Sequence, residues 1–203
     1  LGLGTGLVVD PACEIMGLPN WSNKERAARF KEYVEIVNQL LSNEITTYNG
    51  RYYEIKEAVM NPRPVQKPRP PITIAALGPT MLKYAAQYAD TWNTYSTSNT
   101  FEEQLVDTRK RTQLVDKYCS DIERAPSSLR HSYLMYLAGV RTKRGGMIDY
   151  YDSEEVFVDM VTKLIDVGFT EFLLYYPFNA EQLPIFEKIA REVIPKLKEK
   201  YNS

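Results

Sequence analysis

The sequence predicts an α/β fold in which helices cover both faces of a largely parallel sheet. Short apolar β runs without polar alternation alternate with amphipathic helical segments about five times along the chain. Strands that lack a polar face are typical of parallel sheets buried on both sides. No flexible linker divides the chain, so we interpret residues 1–203 as a single domain. Two architectures satisfy this pattern, an open doubly wound sheet and a (β/α) barrel.

The composition excludes several classes of partner. The 25 Lys and Arg residues balance the 26 Asp and Glu residues, so no global field attracts nucleic acid or an anionic membrane. No apolar run approaches the roughly 20 residues that a membrane helix needs. Cys13 and Cys119 lie far apart and His131 is the single histidine, which disfavours a metal site and a His-based triad. Two free thiols are typical of a cytoplasmic protein.

The chain begins with the glycine-rich stretch LGLGTG, which we interpret as a buried strand. A strand with few side chains lets another backbone or a ligand come close. The stretch is not a dinucleotide-binding fingerprint, because Leu7 occupies the third glycine slot and no helix is predicted before Ser22. Ser22 and Glu25 have the spacing of a capping box, and the apolar residues that follow predict a helix over 22–43.

A hairpin insertion is predicted near residues 45–55. The dipeptide Asn49-Gly50 stands between two arms rich in Tyr, Thr and Ile. This pattern favours a two-residue type I′ turn, whose central residues both need positive φ. The segment NPRPVQKPRPP follows, and its prolines predict an extended connector rather than a helix or a central strand.

Strands and helices alternate through the rest of the chain. Capping-box spacing marks one helix start at Thr100 with Glu103, and Asp152 with Glu155 marks the next, which Gly168 ends. The predicted strands cover residues 72–77, 91–96, 132–140 and 170–176, and the predicted helices cover 78–90, 100–119, 152–168 and 181–200.

The join between the strand ITIAAL and the next helix is the clearest candidate site. Ligands bind at the carboxyl ends of the strands in both architectures. Gly78 stands near the N-cap and Pro79 at the first helical position, with Thr80 next. Free N–H groups and the positive end of the helix dipole favour an anion there. The sequence therefore predicts a phosphate site, although an ordinary Gly-Pro helix start gives the same pattern.

A second candidate is the loop RTKRGGM, in which Arg141, Lys143 and Arg144 could grip an anionic cofactor tail or substrate. The alternative is a solvated charge cluster without a ligand. No pair of carboxylates, nucleophile–base set or metal cluster stands out in the sequence, so catalytic residues stay unassigned and no metal is expected.

Four stretches carry a resemblance to a known family. In chain order they are LGLGTG, RAARFKEYVEIVNQLL, YNGRYYEI and PRPVQKPRPPITIAALGPTMLKYAAQYADTWN. Their order and spacing resemble those of the bacterial luciferase-like flavin or deazaflavin oxidoreductases, most strongly from Gly2 to Asn93. The resemblance implies a (β/α)8 TIM barrel with LGLGTG as its fourth strand. We therefore expect a partial barrel that lacks the first three β/α units, as the C-terminal part of a longer enzyme.

The resemblance also implies a cofactor at the barrel mouth, either FMN or the deazaflavin F420. Thr5 and Gly6 match positions that line the cofactor ring or its ribityl chain. In place of the Gly-Trp that the family often has there, this chain has Gly6-Leu7. The cofactor phosphate is expected in the loop after strand five, which here consists of Leu77, Gly78, Pro79 and Thr80.

Family members either activate oxygen as monooxygenases or transfer a hydride to or from the deazaflavin, and both activities stay open here. The segment IAALGPTMLKYAAQYAD is more similar to the reductases resembling methylene-tetrahydromethanopterin reductase. The substrate is expected to be a small molecule of unassigned identity. Without the residues of strands one to three that face the ring, the chain alone is expected to be inactive.

The alternative function is a non-catalytic cofactor-binding or structural module. In either case a partial barrel leaves the edges of its first and last strands unpaired. Such edges tend to be covered by another chain. We therefore expect a homo-oligomer.

Overall fold

The computed structural model describes residues 1–6, 11–135, 140–141, 147–177 and 179–202. Two compact units divide the chain: unit 1 comprises Leu1–Trp92 and Val115–Leu129, and unit 2 comprises Asn93–Leu114 and Arg130–Ser203. The interpretation of the chain as one domain stays a prediction.

The strands are β1 (Gly2–Leu3), β2 (Thr46–Asn49), β3 (Glu54–Ala58), β4 (Thr73–Ala75), β5 (Thr91–Thr94), β6 (Arg130–Met135), β7 (Val140–Arg141), β8 (Met147–Ile148) and β9 (Glu171–Leu174). The helices are α1 (Pro11–Ile15), α2 (Asn23–Ser42), α3 (Pro79–Tyr88), α4 (Phe101–Asp121), α5 (Glu154–Ile165), α6 (Leu183–Lys188) and α7 (Ile194–Asn202), with 3-10 turns at Pro126–Ser128 and Ala180–Gln182. None of the helices in the described part of the chain is long and apolar enough to cross a membrane.

Unit 1 is built on the parallel pair β1 and β4. Gly2 lies opposite Thr73 and Leu3 opposite Ile74, and β5 is the other neighbour of β4. Ile74 is completely buried, as are Ile72 and Ala85. This burial confirms the parallel strand that the unbroken apolar run ITIAAL predicts.

Helix α2 begins at the predicted cap. The hydroxyl oxygen of Ser22 accepts a hydrogen bond from the N–H of Glu25, at 3.3 Å, which satisfies one of the free donors of the first turn. Phe30 and Val34 are buried along one face of α2. The Phe30 ring stacks on Tyr84 of α3 with centroids 6.5 Å apart, so the two helices pack through aromatic side chains.

The hairpin forms, but its turn differs from the prediction. Strands β2 and β3 pair antiparallel and the last pair is Asn49 with Glu54, so four residues form the loop and the two-residue type I′ turn is wrong. The carboxylate of Glu32, on α2, accepts hydrogen bonds from the N–H groups of Arg51, Tyr52 and Tyr53 at 2.9, 2.8 and 3.1 Å. The Glu32 carboxylate thus satisfies three backbone N–H groups of the four-residue loop. A two-residue turn would not need these acceptors.

Gly50 is required in this loop for space. Its φ lies outside the left-handed region, and a Cβ built on it would overlap the Glu32 carboxylate and the Tyr48 ring. A side chain at this position would have to displace the Glu32 carboxylate from the loop.

Glu35 forms a second anchor between helix α2 and its neighbours. Its carboxylate accepts hydrogen bonds from the hydroxyl of Tyr48 on β2 at 2.7 Å and from the hydroxyl of Tyr88 on α3 at 2.5 Å. Lys31, one turn earlier, donates to it at 2.7 Å. Burial alone would raise the pKa of Glu35, but the hydrogen bonds from Lys31 and the two tyrosines outweigh burial and lower it. Burial and the Glu35 carboxylate raise the pKa of both tyrosines.

An ion pair fixes the end of the Pro-rich connector to the start of the sheet. The Arg69 guanidinium donates to Asp90 at 2.5 Å and to the amide oxygen of Asn38 at 2.6 Å. The N–H of Ile72 donates to the same Asp90 carboxylate at 2.7 Å. Burial alone would raise the pKa of Asp90, but the hydrogen bonds from Arg69 and Ile72 hold it below its usual value. The start of β4 is thus tied to helix α2 and to the segment between α3 and β5.

Unit 2 is built on the parallel pair β6 and β9, in register from Ser132 opposite Glu171 to Met135 opposite Leu174. Strand β5 is the other neighbour of β6. The buried rings of Tyr133 and Phe169 meet edge to face with centroids 5.3 Å apart. The unit therefore has its own aromatic core.

Helix starts in unit 2 follow side-chain caps. The predicted capping box is confirmed, because Thr100 and Glu103 each bind the other's N–H at 3.2 Å. The predicted cap Asp152 is wrong: Ser153 accepts from the N–H of Val156 at 3.2 Å, while Asp152 accepts from the N–H of Asp149. The Ser153 hydroxyl is better placed because a capping side chain reaches the donors two or three residues ahead.

Helix ends in unit 2 follow the sequence less closely. Gly168 ends the helix region after α5 with a φ of +110°, as its position predicts. The final predicted helix is interrupted by a π-helical segment, Ile189–Val193, between α6 and α7.

Two further elements differ from the sequence prediction. Helix α1 forms before Ser22, where no helix is predicted, since five residues are too few to show helical periodicity. Strand β7 pairs antiparallel with β8, so Val140 does not extend β6 and Arg141 and Met147 are not in a loop. Residues 7–10, 136–139 and 142–146, which include Leu7, Lys143 and Arg144, lie outside the described residues.

We expect Glu35→Gln to lower the free energy of unfolding by about 1–2 kcal/mol at pH 7, since charge-assisted hydrogen bonds are lost. Because folding lowers the pKa of Glu35, the carboxylate stabilises the fold above its ordinary pKa of 4.5 and loses this effect as the pH falls through the folded value. The difference between variant and parent should therefore shrink in acid. Urea unfolding between pH 7 and pH 3 measures it.

The control is Glu44→Gln, which changes an exposed glutamate and should leave the unfolding curve at pH 7 unchanged. A Glu35→Gln protein with the stability of its parent at pH 7 would contradict the anchoring role of the carboxylate.

Candidate cofactor site at the carboxyl ends of two strands

Parallel pairing of β1 and β4 brings the predicted site residues of unit 1 to one edge of the sheet. A Cβ built on Gly4, just after β1, would touch the Cβ of Ala75, the last residue of β4, at 3.8 Å. The two strands point the same way, so the segments that leave them emerge together. Thr5 and Gly6 follow β1, and Leu77 to Thr80 follow β4.

The loop after β4 ends in an open helix N-terminus. Gly78 is the N-cap of α3, with φ −95° and ψ 161°, and no side chain caps the helix. A Cβ built on Gly78 would meet nothing within 4 Å. Leu77, Pro79 and Thr80 are exposed as well. The first N–H groups of the helix therefore face space in which an anion can approach the backbone.

A buried tryptophan supports this loop from behind. Trp92 of β5 is completely buried and its indole N–H donates to the carbonyl oxygen of Ala76 at 2.9 Å. Ala76 immediately precedes Leu77, so this hydrogen bond fixes the backbone that leads into the loop. Trp92 therefore belongs to the core and supports the loop without lining it.

The other half of the edge is formed by Thr5 and Gly6. Gly6 has a φ of +69°, in the left-handed region that favours glycine. Arg26, on α2, donates from Nη1 to the carbonyl oxygen of Thr5 at 3.3 Å, and its side chain is buried. A Cβ on Gly6 would lie 3.3 Å from the same Nη1.

Sequence reasoning misses Arg26, although one signal was available. Residues 26, 30 and 34 are four apart and lie on one face of a helix, and the other two members of this series are the buried Phe30 and Val34. An arginine in the apolar register of an amphipathic helix is expected to be buried with partners.

The open N-terminus of α3 and the space beside Gly78 have the chemistry of an anion-binding surface rather than of a reactive centre. The binding of a cofactor ring at Thr5 and Gly6 stays a prediction. No group of three or more His, Cys, Asp or Glu that could hold a metal occurs among the described residues. Such an arrangement can bind and orient a cofactor that brings its own chemistry.

Comparison with known proteins shows the family of the chain. The model of the family described as luciferase-like monooxygenase matches residues 1–132. An F420-dependent glucose-6-phosphate dehydrogenase from Microbacterium testaceum is 38% identical over 96 residues, which cover 47% of this chain and 27% of that protein. A protein of the same name from Beutenbergia cavernae is 23% identical over 98% of this chain and 68% of its own length. The chain thus spans between about a quarter and two thirds of these relatives.

Solved structures share the fold. A coenzyme F420-dependent tetrahydromethanopterin reductase from Methanopyrus kandleri superposes with a TM-score of 0.72 at 17% identity, over 96% of this chain and 73% of its own. An F420-dependent secondary alcohol dehydrogenase gives 0.73 at 15% identity, over 93% and 68%. The long-chain alkane monooxygenase LadA gives 0.66 at 13%, over 95% and 60%. With the family match covering residues 1–132, more than half of the sequence, the chain belongs to the luciferase-like monooxygenase family.

Proposed function

We propose that the protein is an F420-dependent oxidoreductase that transfers a hydride between the deazaflavin and a small-molecule substrate. The observation that carries the proposal is the uncapped N-terminus of α3 beside Gly78, at the same sheet edge as Thr5 and Gly6. The names of the curated relatives favour F420 over FMN. The two free cysteines, Cys13 and Cys119, support the further proposal of a cytoplasmic protein.

The residues of unit 1 divide into two roles in this proposal. The first N–H groups of α3, with the Thr80 hydroxyl, hold the cofactor phosphate, and Leu77 to Pro79 shape the loop around it. Thr5 and Gly6 line the ring or the ribityl chain. When bound, F420 supplies the hydride chemistry, while the protein orients it and excludes water.

We also propose that the complete fold is a (β/α)8 barrel to which this chain contributes the strands from the fourth onward. In unit 1, β1 has β4 as its neighbour, and in unit 2, β9 has β6 as its neighbour. Among the described residues neither strand is paired on its other side. Unpaired strand edges are prone to association.

We expect the chain of residues 1–203 to form a homodimer or a larger homo-oligomer, because association covers these strand edges. Light scattering coupled to size exclusion at micromolar concentration measures the mass. A monodisperse species with the 23.4 kDa mass of one chain would contradict the prediction.

We expect tighter binding of F420 than of FMN, since the proposed reaction is hydride transfer. Titration of the protein with each cofactor, followed by cofactor fluorescence, compares the two dissociation constants. Tighter binding of FMN would contradict the proposal and favour a monooxygenase. Binding of neither cofactor would favour the non-catalytic module.

Gly78→Val is expected to weaken FMN and F420 binding by about 10–100-fold, since the phosphate loses hydrogen bonds to the helix N-terminus. The extended backbone at Gly78 accommodates valine, so the fold should not change. Binding of riboflavin, which lacks the phosphate, should not change either. Fluorescence titration measures all three affinities.

Gly2→Val is the matched control, because a Cβ on Gly2 also meets nothing within 4 Å and Gly2 lies at the opposite end of β1. If the Gly78→Val protein and its parent bind FMN with equal affinity, the assignment of the phosphate to this loop is contradicted.

A further inference from the structure

We propose that Arg26 is a positioning residue that holds the Thr5–Gly6 edge in the geometry the cofactor ring requires. The inference rests on the proposed function and deepens it. It assigns the ring-side half of the site to a buried side chain of helix α2, separately from the phosphate-side half at Gly78.

The guanidinium of Arg26 contacts three parts of unit 1, which are the exit of β1, helix α1 and the segment that leads into α2. Its Nη1 donates to the carbonyl oxygen of Thr5 at 3.3 Å. Its Nε donates to the carbonyl oxygen of Trp21 at 2.9 Å, and its Nη2 donates to the side-chain oxygen of Asn20 at 2.7 Å. The thiol of Cys13, in α1, lies 4.0 Å from Nη2. One side chain thus ties the exit of β1 to the segment that leads into α2.

Because Arg26 is buried, its guanidinium must find its hydrogen-bond partners within the protein. Arg26 is 6% exposed, and a buried charged group that loses a hydrogen-bond partner is costly. A guanidinium carries five donors in a rigid plane, so it serves three acceptors in different directions at once. A lysine ammonium on a flexible stem cannot take the same three acceptors in these positions.

The backbone conformation of Gly6 and its lack of a side chain suit the position of the Arg26 guanidinium. Its positive φ turns the chain directly after the carbonyl that Arg26 binds, and a Cβ there would press on Nη1 at 3.3 Å. The missing side chain at Gly6 therefore leaves room for the guanidinium that holds the Thr5 carbonyl. Neither residue contacts the loop of Gly78 through a described hydrogen bond, which makes the two halves of the site separable.

The experiment compares Arg26→Lys and Arg26→Met with Lys24→Met, an exposed control on the same helix turn. The first readout is amide hydrogen exchange of Thr5 and Gly6 in the absence of any cofactor, measured by NMR. We expect faster exchange in both Arg26 variants and parental exchange in the control. If Arg26→Met fails to fold, Arg26→Lys, which keeps the charge and most of the volume, carries the test.

The second readout is the affinity for FMN and for riboflavin. We expect Arg26→Lys to weaken both ligands by the same factor, about tenfold, the size of effect that a lost hydrogen bond produces. Gly78→Val should weaken FMN alone. A merely structural role of Arg26 would lower the unfolding temperature without this equal loss for the two ligands.

The outcomes separate the inference from the proposed function. Parental exchange at Thr5 and Gly6 in Arg26→Lys, or unchanged riboflavin affinity, overturns the role of Arg26. A parent protein that binds neither FMN, F420 nor riboflavin overturns the proposed function together with the ring-side role. Faster exchange at Thr5 and Gly6 would then still establish that Arg26 orders this edge.

Discussion

Parallel pairing of β1 with β4 is the constraint on which the site of unit 1 depends. Two short apolar strands that run the same way release the chain at the same edge, so a glycine-rich exit and a helix N-terminus become neighbours. The buried Ile74 and the hydrogen bond from Trp92 to Ala76 hold that edge from behind. The proposed anion-binding surface is therefore built from backbone groups, with few specialised side chains.

Helix α2 is the element that turns this strand pair into a defined surface. It carries Arg26 toward the exit of β1, and Glu32 and Glu35 toward the hairpin and α3. Each of these three side chains binds a group that secondary structure leaves unpaired. The helix therefore stabilises unit 1 through long-range polar contacts as well as through its apolar face.

Most features decided by neighbours in sequence could be predicted, whereas features decided by distant residues could not. The caps at Ser22 and Thr100 and the helix start at Gly78-Pro79 depend on residues within one turn, and the structure has them as the sequence predicts. The turn after Asn49 depends on Glu32, about 20 residues away. The dipeptide Asn49-Gly50 alone therefore does not predict the length of the loop. Gly78 could be found from local chemistry and Thr5 from family resemblance, whereas Arg26 is defined only by tertiary contacts.

The close approach of Gly50 to Glu32 has a consequence for how this sequence can change over time. The glycine is kept by the volume of a side chain on another element, and that side chain in turn serves three amides of the loop. A side chain at position 50 would displace the Glu32 carboxylate, and the loss of Glu32 would leave three loop amides without their acceptor. Related sequences that change one of these two residues should therefore change the other as well.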